Sequence, residues 1–128
     1  MYQYNPLVAP DSEEWLGLSE GDRIDSVRSF HEHSDGSDFE DDQALSIHCA
    51  IHVVVENQLA LKVEHLPETL SKLKRQGLDR HEAIHAIGAI LSEEIFKIYR
   101  GETSEFSTSL YRRKLEKVTA KRWKKGQY

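Results

Sequence analysis

The stretch covering residues 44–61 constrains the fold more than any other part of this chain. Leu45, Ile47, Cys49, Ala50, Ile51, Val53, Val54, Val55, Leu59 and Ala60 put apolar groups round much of its circumference. A helix of that kind must be buried on most sides, so it is expected at the centre of the core. The run Val53-Val54-Val55 favours strand taken alone. The length of the segment, and the four-residue spacing of His48, His52 and Glu56, favour helix instead. A chain of 128 residues suits a single domain built around such a helix.

The neighbouring segments are read as helices too. Pro6 and Pro10 disfavour helix before them, so residues 1–10 form an extended N-terminal arm. A short helix follows over 11–16, with Asp11 or Ser12 as its cap and Glu13 and Glu14 in its first turn. Ser19 starts the next, whose apolar side holds Ile24, Val27 and Phe30 or His31. Residues 34–42 form an acidic loop that lacks the alternating acids and sixth-position glycine of a calcium-binding loop. Pro67 opens a short helix over 67–75, stopped by Gly77. Asp79 caps a helix that runs to about Tyr99, where Gly101 ends it. Thr103 or Ser104 starts a last helix with Leu110, Leu115 and Val118 along its apolar line. No segment reads as a strand. The expected class is all-α: a compact single-domain bundle of about five to six helices, with a helical core over 11–100 and a basic helix or tail over 101–128.

Composition removes several function classes. There is no long apolar run, so no transmembrane helix is expected. Residues 1–6 have neither the basic region nor the apolar stretch of a secretory signal. The single cysteine, Cys49, excludes an intramolecular disulfide and a cysteine-cage zinc site, and its expected role is a small buried residue. A cytoplasmic location is the default. The net charge is −5, with acids gathered early and bases late. That separation suits self-association or an anionic partner for the tail. Arg112, Arg113, Lys114, Lys121, Arg122, Trp123, Lys124 and Lys125 would form a nucleic-acid surface, but the overall acidity argues against it.

Histidine placement points to a site. His48 and His52 are four apart on the central helix, and His81 and His85 are four apart on the helix that opens at Asp79. Side chains at that spacing share a face, one turn apart. If the two helices run side by side, the four imidazoles meet around one ion. Glu56 continues the first line by a turn, as a carboxylate ligand or a hydrogen-bond acceptor behind a ligand, and Gln58 is a further supporting residue. Gly88 stands at i+3 from His85, where a missing side chain leaves room. Imidazoles alone suit zinc, nickel or copper, and added carboxylates move the preference toward iron or manganese. His31, His33 and His65 fall at helix ends or loops and are expected on the surface. The letters His81-Glu82-Ala83-Ile84-His85 also match the H-E-x-x-H motif of metalloproteases, in which the glutamate activates a zinc-bound water. An all-helical chain lacks the sheet that lines such a cleft, and Glu82 is equally a first-turn acid favoured by the helix dipole.

Several segments resemble a family of small bacterial helical proteins catalogued only as a domain of unknown function. They are Tyr4-Asn5-Pro6, Glu14-Trp15-Leu16, His48-Cys49-Ala50-Ile51-His52 with Glu56-Asn57-Gln58-Leu59, and residues 77–86, together spanning Tyr4 to about Tyr99. The resemblance implies a compact helical domain, matches at His48, His52, Gln58, His81 and His85, and supplies no reaction. The leading expectation is a metal-binding helical domain with His48, His52, His81, His85 and Glu56 around a divalent ion such as zinc, nickel, iron or manganese. The alternative is a metal-free interaction or self-association module, and the third reading is a metal-dependent hydrolase acting through Glu82.

Overall fold

A computed structural model describes residues 2–34 and 39–127. Among the described residues there are seven helices and no strand, as the all-α reading expects. They divide into two compact units, Met1–Lys62 and Val63–Tyr128. No helix among the described residues is long and apolar enough to cross a membrane.

The first unit holds α1 (Ser12–Gly17), α2 (Glu20–Ser34) and α3 (Asp42–Ala60). Asp11 caps α1 by accepting from the Glu14 N–H, and Ser19 does the same for Asp22 at the start of α2. Asp41 caps α3 through the Ala44 N–H. Of the acidic loop expected over 34–42, residues 35–38 lie outside the described residues, Ser34 belongs to α2 and Asp42 opens α3.

Burial along α3 explains its central place. Leu45, Cys49, His52, Val53 and Glu56 are buried, a stripe at helical spacing that turns one face toward α2 and α1. Tyr4, Trp15, Val27, Leu45, Cys49 and Val53 form the unit's core, with Phe30, Phe39 and Ile24 packed against it. Trp15 is fully buried, and its indole N–H donates to Asn57 Oδ1 at 2.9 Å. Arg23 donates to the same oxygen and to the carbonyls of Trp15 and Leu16. One guanidinium thereby satisfies the C-terminal carbonyls of α1 and locks α1 to α3. At the other end of α3, Arg28 of α2 bonds Ser46 and Asp42.

The second unit holds α4 (Leu66–Arg75), α5 (Arg80–Tyr99), α6 (Thr108–Lys117) and α7 (Ala120–Lys124). Leu66, Leu73, Ile84, Ile87, Ile90, Leu91 and Leu115 are among its buried aliphatic residues. Gly77, at φ 107°, makes the left-handed turn that ends α4, and Asp79 then caps α5 through the Glu82 N–H. Lys72 of α4 donates to the carbonyls of Leu115 and Glu116 near the end of α6. The single helix expected after Thr103 is instead two shorter ones. Ser107 caps α6 through the Leu110 N–H, Val118 turns extended, and Thr119 caps α7 through the Arg122 N–H. The Ala120 N–H also donates to Gln76 Oε1 at 2.8 Å, which holds the break in place. A β-branched pair at the junction, with a hydroxyl ready to cap, favours stopping over continuing.

Candidate metal centre

The sites of interest in the first unit begin with α2 and α3. His48 and His52 face the same way on α3, with ring centroids 4.7 Å apart, as their spacing predicts. The third partner is His31, near the end of α2. It is fully buried, which corrects the expectation that it lies on the surface. Its ring centroid is 4.7 Å from that of His48 and 4.6 Å from that of His52, so the three imidazoles form a nearly equilateral cluster. One ring nitrogen from each lies within 4.8 Å of the others. His33, by contrast, is exposed as expected, and its Nδ1 bonds the Ser29 carbonyl.

The outer hydrogen bonds determine which nitrogens face inward. His31 Nδ1 lies 2.9 Å from the Val27 carbonyl oxygen, one turn back on α2. A carbonyl only accepts, so Nδ1 carries the hydrogen and the neutral ring keeps its lone pair on Nε2. That Nε2 is 3.2 Å from Nε2 of His48. His52 reaches the same state by a longer chain. Tyr4 O–H donates to Glu56 Oε2 at 2.5 Å, and the phenol oxygen lies 3.2 Å from His52 Nδ1. Since the phenol hydrogen goes to the carboxylate, the phenol oxygen accepts from His52 Nδ1–H. His52 Nε2 then holds the lone pair. Tyr4, His52 and Glu56 are all buried. A carboxylate acting through a hydroxyl on the far nitrogen of an imidazole is the arrangement that orients metal-ligating histidines and raises their basicity.

The surroundings of the cluster are aromatic. Phe30 and Phe39 stand against His31, Phe39 also covers His48, and Tyr4 meets His52 edge-on. Such walls strengthen electrostatic interactions inside by excluding water. Cys49 is buried in the same helix as expected, and burial pushes its thiol pKa up, with a smaller lowering effect of Arg28 and a raising one of Glu32. It stays a protonated, space-filling residue. The unit as a whole favours a cation. Met1–Lys62 contains thirteen aspartates and glutamates against three lysines and arginines, a net charge of −10.

The remaining expected site residues have the following surroundings within their own units. Glu56 holds the Tyr4 hydroxyl and so stands behind His52. Gln58 is half-buried on α3, about 240° round the helix from His52 at the ordinary helical twist, hence on another face. His81 and His85 of α5, in the second unit, pack with ring centroids 4.3 Å apart, and both are half-buried. Glu82 between them is exposed, accepts the Trp123 indole N–H at 2.8 Å and lies 4.0 Å from His85 Nδ1. Gly88 is buried on α5.

His31, expected on the surface, and Tyr4 are the two residues of the site that were not among the ligands expected from the sequence. For His31 a signal existed: it stands four residues after Val27, on the apolar side of α2, where a surface residue would be out of pattern. Tyr4 carried no signal of a site role beyond its place in the Tyr4-Asn5-Pro6 segment of the resemblance. No known protein family, curated protein or solved structure matches this chain, so the likeness to the bacterial helical family rests on the quoted residues alone.

Proposed function

We propose that the protein binds a divalent transition metal through His31, His48 and His52, with Tyr4 and Glu56 fixing the tautomer of His52. The 3.2 Å separation of the His31 and His48 Nε2 atoms carries this reading. Two imidazole ligands on a tetrahedral ion with bonds of ~2.0–2.1 Å stand about 3.3 Å apart at their nitrogens. An all-imidazole set suits zinc, nickel or copper rather than calcium or magnesium. A set that stops at these three nitrogens leaves a coordination position for water, the feature that separates reactive from purely structural zinc sites, and a fourth histidine would close it. When bound, such an ion acidifies a coordinated water and polarises a carbonyl or phosphoryl oxygen.

The test is elemental analysis of untagged full-length protein after zinc reconstitution and dialysis. About one retained equivalent is expected, lost in His31→Ala and in His48→Ala with helicity unchanged. No retention of zinc, nickel, copper, iron or manganese would refute the proposal. Nitrogen-15 spectra of the imidazoles provide an independent check. Without an ion, one of the facing Nε2 atoms must carry a hydrogen and donate to the other; with an ion, both carry lone pairs. His81→Ala and His85→Ala test the four-histidine set expected from the sequence: loss of the ion in either adds that residue to the ligands, and retention excludes it.

A second reading, self-association, is favoured by the separation of acids and bases along the chain. Sedimentation velocity at low and high salt tests it, and a monomer under both conditions refutes it.

A further inference from the structure

The basic character of the second unit gathers at one concavity. Val63–Tyr128 holds fourteen lysines and arginines against nine acids, a net charge of +5. Between residues 112 and 125 there are eight bases and the single acid Glu116. Where α6 gives way to α7, a cavity of about 260 Å³ is lined by Arg113, Lys114, Lys117 and Arg122 over the apolar Leu110 and Val118. The break between the two helices creates it, because a continuous helix would carry Arg122 away along its axis.

Four cations around one cavity repel each other, whereas three arginines elsewhere are held by carboxylates. Arg100 is held by Glu93 and Glu102, Arg112 by Glu116, and Arg28 by Glu32 and Asp42. In the cavity only Lys114 has a carboxylate, that of Glu94 at 2.9 Å. No carboxylate among the described residues pairs with Arg113, Lys117 or Arg122. Guanidinium groups present planar, paired donors that fit two oxygens of one phosphate, and a lysine adds a point charge.

The geometry points to this cavity as a binding site for a phosphate group, contributed either by a small phosphorylated molecule or by a nucleic-acid backbone. The volume suits a phosphate with a small attached group. The overall acidity that argued against a nucleic-acid surface resides in the first unit, whereas the cavity belongs to the second.

The experiment uses the full chain with a chelator present, so that coordination of phosphate to a bound metal contributes nothing. Equilibrium binding is measured for pyrophosphate, for a nucleoside 5′-monophosphate and for a single-stranded RNA oligomer. Saturable binding is expected for at least one, weakened about tenfold or more in Arg113→Ala/Arg122→Ala. The weakening should be much smaller in Lys121→Ala/Lys125→Ala, which removes equal charge outside the cavity. Circular dichroism confirms that both variants keep their helices. Binding of the small phosphates identifies a molecular ligand, and binding of RNA alone, with steep salt dependence, identifies the polymer. Equal losses in the two double variants would show a diffuse field and overturn the proposal, as would no saturable binding of any of the three.

Discussion

The two units bury polar groups in opposite ways. In the second, the Glu94 carboxylate is only 2% exposed and is met by the ammonium groups of Lys97 and Lys114 at 3.1 and 2.9 Å. Charge answers charge, and two helices are joined by it. In the first, one set of hydrogen bonds runs from the Val27 carbonyl through His31 to His48, and another from His52 through the Tyr4 phenol to Glu56. An ion pair mainly ties helices together and has no further coordination to offer. A ring of imidazole lone pairs does, which is why the functional reading attaches to the first unit.

The comparison breaks most severely if the frame of the first unit is removed. Trp15→Ala deletes a fully buried indole and its bond to Asn57, and should cost about 3–5 kcal/mol in urea unfolding. The histidine cluster should lose its metal with it. Tyr4→Phe is a subtler cut. It keeps the ring but removes the hydroxyl between His52 and Glu56, so zinc affinity should fall about 10–100-fold, measured by competition with a chromophoric chelator, while the fold persists. An unchanged affinity would reduce Tyr4 to a packing residue.

For the second unit, Glu94→Gln should cost about 1–2 kcal/mol, since the lysines left behind are each partly solvated. Burial alone would raise the Glu94 pKa, but hydrogen bonds from Lys114 and Lys97, with their charges, hold it below the usual carboxylate range. A depressed folded value gives a stabilisation fully present above the unfolded carboxyl value of ~4.3, and lost as pH falls through the folded value. Urea unfolding of the wild type should weaken over that acid limb, and the variant should show less of the decline. The smallest effect expected is that of Thr119→Ala, which removes the cap of α7 and should cost about 1 kcal/mol. It should also weaken phosphate binding at the cavity, because the cap positions Arg122.

How much of this was legible in the sequence differs by level. Asp11, Ser19 and Asp79 each precede a helix and accept from N–H groups three residues on, a local rule. The facing of His48 with His52, and of His81 with His85, was equally local, set by helical twist. The last helix failed as a prediction because two competing caps, Ser107 and Thr119, divide a span whose apolar period looks continuous.

The sequence by itself determined the helical class, most helix starts and stops, and which residues share a face within each helix. These depend on contacts a few residues apart. Only the tertiary structure decided that His31 of α2 joins His48 and His52 of α3, and that Tyr4 stands behind His52. Periodicity defines a face relative to its own helix axis and says nothing of how one axis is rotated against another. That rotation is set by side chains packing across the interface, among them Trp15, Val27, Phe30 and Val53. The partners of a buried histidine therefore follow from packing and not from spacing.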